Sequence, residues 1–284
     1  CSHMRFMRHE QWADALFVHY AVDAAALQSR LPSGLRVHTH EGIAYVGLVL
    51  LSEEGIVPLL PGLPLALVRC FALSHHAVNV RTYVLPASGD GPPGIFFFTL
   101  DCSALLPVLG ARALFNLPYR YARMSRRGSR VLSLESDRVG SGKDAVRLSA
   151  SWVPGDSDDG DCCNKPAPEL REGDAALGRF FAERYALYCT PGPLLRCFMG
   201  SSAPFWCGTI THEAWPLLRA RLVHWEGSRS VLAAVGLDDL VVLGFAVVLG
   251  LGLGLGLELL DVGVGDLHRL GVDGTPHRRR LDRL

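Results

Sequence analysis

The residues best suited to chemistry lie on one segment, VNVRTYVLP, at residues 78–86. In it β-branched residues alternate with Asn79, Arg81 and Tyr83. Because successive residues of a strand point to opposite faces, the alternation predicts a strand with one apolar and one polar face. The planar guanidinium of Arg81 can hold a carboxylate or an enolate through two parallel hydrogen bonds. Asn79, Arg81 and Tyr83 are therefore candidate ligand-binding residues.

A second candidate group follows a proline in GARALFNLPYRYARMSRR, residues 110–127. Tyr119 and Arg120 could line the same pocket as Arg81 and supply a hydroxyl group and a second cation. Since neighbouring strand residues face opposite sides, we expect only one of the two to face the pocket. Each of these two groups could instead have a purely structural role. Arg81 could pair with an acidic residue, Asp101 or Glu183, and the 119–127 cations could form the solvated side of a strand.

Two histidines are the candidates for proton transfer. His212 lies in THEAWP and His19 in FVHY, and imidazole titrates near neutral pH. The alternative for each is a hydrogen-bonded histidine of the core. Other histidines come in two groups, HTHEG at residues 38–42 and the pair at 75–76, but neither has a third ligand at a recognisable spacing. No metal and no cofactor are predicted.

The elements that must position these residues are mostly strands. Apolar segments and Gly/Pro turns predict a strand around Leu16–Tyr20, another at 43–51, and a hairpin that joins 78–86 to 95–101. A short helix capped by Asp23 and a helix that Asp101 or Ser103 caps, ending near Phe115, are also expected. Further antiparallel strands follow, so the fold class is α+β, dominated by β structure.

Composition excludes several classes of function. The chain has 284 residues, with 28 basic and 28 acidic side chains, so no net charge attracts nucleic acid. The first twenty residues lack the apolar core of a secretory signal, and we expect a cytoplasmic location. The eight cysteines include no C-x-x-C pair and are interpreted as buried or incidental thiols.

The C-terminal part has a different composition. Residues 240–257, LVVLGFAVVLGLGLGLGL, are eighteen residues without a charged side chain. Eighteen residues is about the minimum length for a helix that spans a membrane. Two features count against a membrane-spanning helix. The many glycines disfavour a helix, and the Leu-Gly alternation has a period of two, which is not the period of a helix. We expect a domain over residues 5–237 and a Gly/Leu-rich low-complexity tail over 238–284, with a possible membrane segment at 240–257 and an alternative membrane-anchored location.

Several motifs, in order, resemble those of the YqjF-like family, also called domain of unknown function 2071, which is similar in fold to acetoacetate decarboxylase. The resemblance covers about Trp12 to Leu237 and is carried by ALFVHYAVDAAALQSRLPSGLRV, GIAYVGLVL, NVRTYV, GIFFFTLD, LGARALFNLPYRYARM, FFAERYALY and THEAWPLLRA. It implies an antiparallel β barrel or cone, a few flanking helices and a central pocket.

The resemblance also implies where the chemistry departs from the decarboxylases. In those enzymes the segment similar to NLPYRYA carries two adjacent lysines, one of which forms a Schiff base with the substrate. Here Tyr119 and Arg120 take these places, and neither forms an imine at neutral pH. The remaining lysines, Lys143 and Lys165, lie in polar loops. Ala77 also stands where the family usually has an acidic residue, which weakens any inherited general-acid role.

These observations predict a protein with a pocket for a small organic acid or ketone and no Schiff-base lysine, acting as a lyase, an isomerase or a binding protein without turnover. The alternative is a membrane-tethered or scaffolding protein in which the β domain has a degenerate pocket. Nucleic acid is not an expected partner, and a homo-oligomer is compatible with the sequence.

Overall fold

The computed structural model describes residues 7–8, 11–58, 73–154, 172–190, 192, 206–209, 217–251 and 257–261. Strands dominate these ranges. They are β1 Met7–Arg8, β2 Gln11–Val22, β3 Leu35–Val37, β4 Ala44–Pro58, β5 Leu73–Pro86, β6 Gly94–Cys102, β7 Tyr119–Arg127, β8 Leu132–Arg138, β9 Arg147–Pro154, β10 Ala186–Cys189, β11 Trp206–Thr209, β12 Leu217–Glu226, β13 Val241–Leu251 and β14 Leu257–Asp261.

Four helices accompany the strands in the described ranges: α1 Ala24–Gln28, α2 Leu105–Phe115, α3 Glu172–Ala182 and α4 Ser228–Ala233. The side chain of Asp23 accepts a hydrogen bond from Ala26 N and so caps α1 as the sequence predicts. The expected cap of α2 is wrong. Its N-cap is Ala104, without a side-chain bond, because Asp101 pairs with Arg138 and Ser103 accepts from His76 N instead.

The strands form one sheet that curves into a barrel. Along the sheet the order is β6-β7-β8-β9-β12-β13-β2-β4-β5, and β5 pairs again with β6. Most pairs are antiparallel, whereas β6 and β7 are parallel. Parallel neighbours need a crossover connection, and α2 provides it. The expected β-dominated fold with few helices is confirmed.

A large apolar cluster fills the interior of this barrel. It contains Leu48 of β4 and Val80 of β5 together with Leu134 of β8 and Trp152 of β9, all at most 1% exposed. Strands β4 and β5 are not neighbours of β8 and β9 in the sheet. Their side chains therefore meet across the barrel, and burial of this surface is the main term that holds the ring closed.

A second cluster covers the other face of β2, β4 and β5. Phe17, Tyr45, Val49 and Tyr83 pack there against Phe181 of α3. Alternation along each strand separates the two clusters, because even-numbered residues of β5 point into the barrel and odd-numbered ones point toward α3. We refer to this second cluster as the α3-side cluster. Tyr83 belongs to this cluster, and Asn79 and Arg81 lie on the same face of β5.

Part of the C-terminal segment forms a strand. Within the expected tail, Val241–Leu251 forms β13, which pairs with β2, β12 and β14. The chain therefore continues the sheet past residue 237. The other parts of the tail, 252–256 and 262–284, lie outside the described residues. In the described ranges, no helix has both the length and the apolar character needed to cross a bilayer.

Candidate ligand-binding site

Strand β5 presents three of the predicted residues on one face. Asn79, Arg81 and Tyr83 are 3%, 2% and 0% exposed, and all three point toward the α3-side cluster. Sequence alternation placed them on a polar face, but the structure buries that face completely. Polar groups in such a position need partners within the protein or from a ligand.

The guanidinium of Arg81 is held by a carbonyl group and a phenol. Its Nη2 donates to the main-chain oxygen of Phe181 at 2.9 Å and, more weakly, to the hydroxyl of Tyr83 at 3.5 Å. Its Cζ lies 5.3 Å from the centroid of the Phe17 ring, a cation–π contact. The buried Nε has no hydrogen-bond partner within the described part of the chain. Nε shares one edge of the guanidinium with Nη2, so a carboxylate that binds side-on to this edge would take the free Nε and replace the weak contact between Nη2 and Tyr83.

His19 of β2 contacts the same tyrosine. Its Nε2 lies 2.6 Å from the Tyr83 hydroxyl, and its ring stacks on that of Phe181 with centroids 3.7 Å apart. Burial, reinforced by the charge of Arg81, lowers the pKa of His19 well below its usual value. The imidazole is therefore neutral at physiological pH. Gly47 makes this position possible, because a Cβ there would lie 2.6 Å from Nε2.

Arg184 is a site residue that the sequence analysis did not nominate. It follows α3 and is 7% exposed. Its Nε donates to Phe180 O at 2.6 Å, and its Nη1 lies 3.2 Å from His38 Nδ1. Its Cζ lies 4.1 Å from the Phe180 centroid and 5.2 Å from that of Tyr83. Burial is the main cause that lowers the pKa of Arg184 to about 10, so the group remains protonated at neutral pH.

Tyr119 lies on the same face but in a neighbouring group of side chains. It pairs with Leu100, which pairs with Asn79, so two strand spacings, about 10 Å, separate its backbone from that of Asn79. Burial raises the pKa of Tyr119 well above its usual value, and the Glu53 carboxylate adds to this rise. His75 Nε2 lies 3.7 Å from that carboxylate. The hydroxyl of Tyr119 therefore stays protonated beside a buried Glu–His pair.

Arg120 is not brought together with Arg81. It pairs with Asp101, whose partner on β5 is Val78, and is exposed. Val78 faces the barrel interior, and the residues paired with it, Asp101 and then Arg120, lie on the same face. Arg120 is therefore on the face of the sheet opposite to Arg81. Asp101 pairs with Arg138, at 2.8 Å between Oδ1 and Nε, instead of with Arg81.

Other candidates take no part in the described site. His212 and Lys165 lie outside the described residues. Lys143 is exposed on a 3₁₀ turn, Gly142–Asp144. In the described ranges, no three His, Cys, Asp or Glu side chains form a group that could hold a metal ion.

A separate cavity of about 430 Å³ lies beside the strand β6. Its lining is largely aromatic and aliphatic and includes Phe98, Pro118 and Tyr188. The one charged group in its lining is Arg30, which is paired with Asp239 at 2.8 Å. This cavity does not include Arg81 or His19. Arg81 and Arg184 therefore both lie outside the lining of this cavity.

Solved structures support the fold at low sequence identity. The chain superposes on acetoacetate decarboxylase from Legionella pneumophila with a TM-score of 0.50 and 10% identity, over 90% of this chain and 87% of that one. The sheet is therefore acetoacetate decarboxylase-like. At this identity the likeness concerns the fold alone.

Sequence comparisons identify the family. The uncharacterized protein YqjF of Bacillus subtilis (strain 168) is 32% identical over 190 residues, which are 65% of this chain and 68% of YqjF. Residues 9–244 match the model of the domain of unknown function DUF2071, described as an uncharacterized conserved protein. The matched range contains β2, β5 and α3, which carry the site. The chain belongs to the DUF2071, or YqjF-like, family.

Proposed function

We propose that this protein binds a small organic acid, including 2-oxo acids, through Arg81, Tyr83 and His19, and that it forms no covalent bond to a lysine. One observation carries the proposal. Arg81 is buried beneath α3, yet within the described residues it forms no ion pair with a carboxylate and its Nε has no partner. A buried cation in such surroundings is compensated when an anion binds to it.

The geometry around Arg81 specifies how such an anion would bind. One carboxylate oxygen would accept from Nε and the other from Nη2, where it would replace the weak 3.5 Å contact with Tyr83, as in side-on pairs of arginine with carboxylates. The Tyr83 hydroxyl, which donates to Phe181 O at 3.2 Å, would turn its hydrogen toward the ligand. Rings of Phe17, His19 and Phe181 surround these groups, which favours a small and flat ligand.

His19 gives the site a neutral imidazole beside that tyrosine. With its pKa lowered, the ring stays neutral and can donate or accept a hydrogen bond through the 2.6 Å contact with Tyr83. A carbonyl oxygen next to the bound carboxylate would receive a hydrogen bond from this pair. This arrangement suits a 2-oxo acid and polarises its ketone without an amine.

Calorimetric titration with pyruvate tests the proposal, with methyl pyruvate as the matched uncharged ligand. We expect pyruvate to bind and methyl pyruvate to bind at least tenfold more weakly. Replacing the guanidinium, in Arg81→Gln, should weaken pyruvate binding by at least about 30-fold, or about 2 kcal/mol, because a buried charged partner is lost. Arg147→Gln is the control, since that side chain is 85% exposed.

Two outcomes would contradict the proposal. If near-UV circular dichroism shows Arg81→Gln to be folded and pyruvate binds it as tightly as the parent, Arg81 is not the anion-binding group. Separately, borohydride reduction in the presence of pyruvate should leave the mass of the protein unchanged. A stable adduct on Lys143 or Lys165 would show that lysine chemistry operates after all.

A further inference from the structure

Two guanidinium groups flank the ring of Tyr83. The Cζ atoms of Arg81 and Arg184 lie 5.8 Å and 5.2 Å from its centroid. Since both distances are measured to the same point, the two carbons are at most about 11 Å apart. Arg81 is 2% exposed and Arg184 is 7% exposed, so water screens this pair poorly.

Among the described residues, neither cation has an acidic partner. Within the described part of the chain, the ion pairs join other residues, and both Arg81 and Arg184 contact only neutral groups. The charge of Arg81 also contributes to the lowered pKa of Arg184, after burial, which shows that the two groups repel each other. Two like charges in one buried region are unfavourable unless negative charge is brought to them.

The protein itself compensates part of this charge. Arg81 donates to Phe181 O and Arg184 to Phe180 O, the last carbonyl groups of α3. These oxygens form the negative end of the helix dipole, equivalent to about half an elementary charge. Against two guanidinium charges, this leaves an excess of more than one positive charge. A ligand with a single carboxylate would therefore neutralise the site incompletely.

The two arginines differ in their access to solvent. Arg184 lies beside His38, which is half-buried, and the Arg36 charge acts on the same imidazole. Arg81 lies deeper, against Phe17 and beneath the end of α3.

We infer that the ligand is a dicarboxylate of four or five carbons, with one carboxylate on Arg81 and the other on Arg184. This inference rests on the proposed function, because it assigns Arg81 the same role. Three or four carbon–carbon bonds of about 1.5 Å separate the carboxyl carbons of such acids. With a hydrogen bond of about 3 Å at each end, such a ligand spans about 10 Å, which is within the upper limit of about 11 Å on the distance between the two guanidinium carbons.

Length-matched ligand pairs test this inference: succinate against butyrate, and glutarate against valerate, titrated by calorimetry into the full chain. We expect one dicarboxylate to bind at least tenfold more tightly than its monocarboxylate partner. In Arg184→Gln this ratio should fall to about one. In Arg81→Gln both affinities should fall together.

The outcomes separate this inference from the proposed function. A ratio near one in the parent protein, with monocarboxylate binding that depends on Arg81, overturns the dicarboxylate and leaves the proposed function standing. A ratio that persists in Arg184→Gln also overturns it. Absence of binding by all four acids counts against both. If Arg184→Gln does not fold, the ratio in the parent and its retention in Arg184→Lys, which keeps the charge, decide the question.

Discussion

His19 is held neutral by its surroundings, and this makes stability depend on pH. Burial lowers the pKa of His19 well below the value of about 6.5 that it has in an unfolded chain. Below pH 6.5 the unfolded chain therefore binds a proton that the folded protein excludes. The free energy of unfolding falls as the pH falls through this window, by at most about 1.4 kcal/mol per pH unit for one group.

We expect His19→Phe, which keeps a ring against Phe181, to flatten this dependence. The measurement is urea denaturation at several pH values between about 4.5 and 7, with the slope of the unfolding free energy against pH as the readout. Some slope should remain, because the pKa values of His38 and His76 are lowered as well. His224→Gln is the control, since that side chain is 47% exposed. An equal slope in His19→Phe and the parent would contradict the assigned burial effect.

At the scale of single residues, local pattern predicts which types share a face but not what they contact. Alternation along residues 78–86 places Asn79, Arg81 and Tyr83 together, as the structure has them. The role of Arg184 depends on α3 lying over β5, a contact between residues about a hundred positions apart. The sequence signal that could have identified Arg184 is its position in FFAERYALY, where an arginine has aromatic residues on both sides and could form cation–π contacts.

Among the elements, β6 and β8 are joined by a buried ion pair across β7. Asp101 and Arg138 have side chains 3% and 2% exposed, with Arg138 Nε 2.8 Å from one carboxylate oxygen and 3.0 Å from the other. The small side chain of Ala122, opposite Arg138 on β7, leaves room for this contact. Burial raises the pKa of Asp101, and the charge of Arg138 opposes the rise.

We expect Asp101→Asn to destabilise the protein by about 3–5 kcal/mol, because it leaves the Arg138 charge buried without its partner. The double variant Asp101→Leu/Arg138→Met should recover most of this loss, since no unpaired charge remains. Urea denaturation at pH 7 measures both. The matched control is Asp137→Asn, whose partner Arg147 is 85% exposed and whose loss should change stability by less than about 1 kcal/mol. A double variant as unstable as the single one would show that the pair itself is required.

The sequence predicts the boundaries of strands that are separated by clear turn residues. It does not predict a strand in a segment of unusual composition. Gly/Pro clusters delimit the hairpin of β5 and β6, and the structure confirms it. Residues 240–257 instead suggest low complexity, because their Leu-Gly repeat supplies no β-branched or charged pattern. Val241–Leu251 nonetheless forms β13 by pairing with β2 and β12, a long-range contact that no local pattern reports.

For the whole molecule, β13 is the strand that completes the barrel between β2 and β12. It pairs with Phe17 and His19 of β2 through Leu249 and Val247, and with β12 through Leu217 to Arg219. Removing it would leave the backbone groups of β2 unpaired beside the candidate ligand-binding residues, and unpaired backbone groups that are kept from water are strongly unfavourable.

We therefore expect a chain truncated after Leu240 to lose cooperative unfolding and pyruvate binding, whereas one truncated after Asp261 keeps both. Urea denaturation followed by circular dichroism distinguishes these results. An unchanged unfolding midpoint after truncation at Leu240 would mean that the segment is a dispensable tail and that eight strands can close the ring without it.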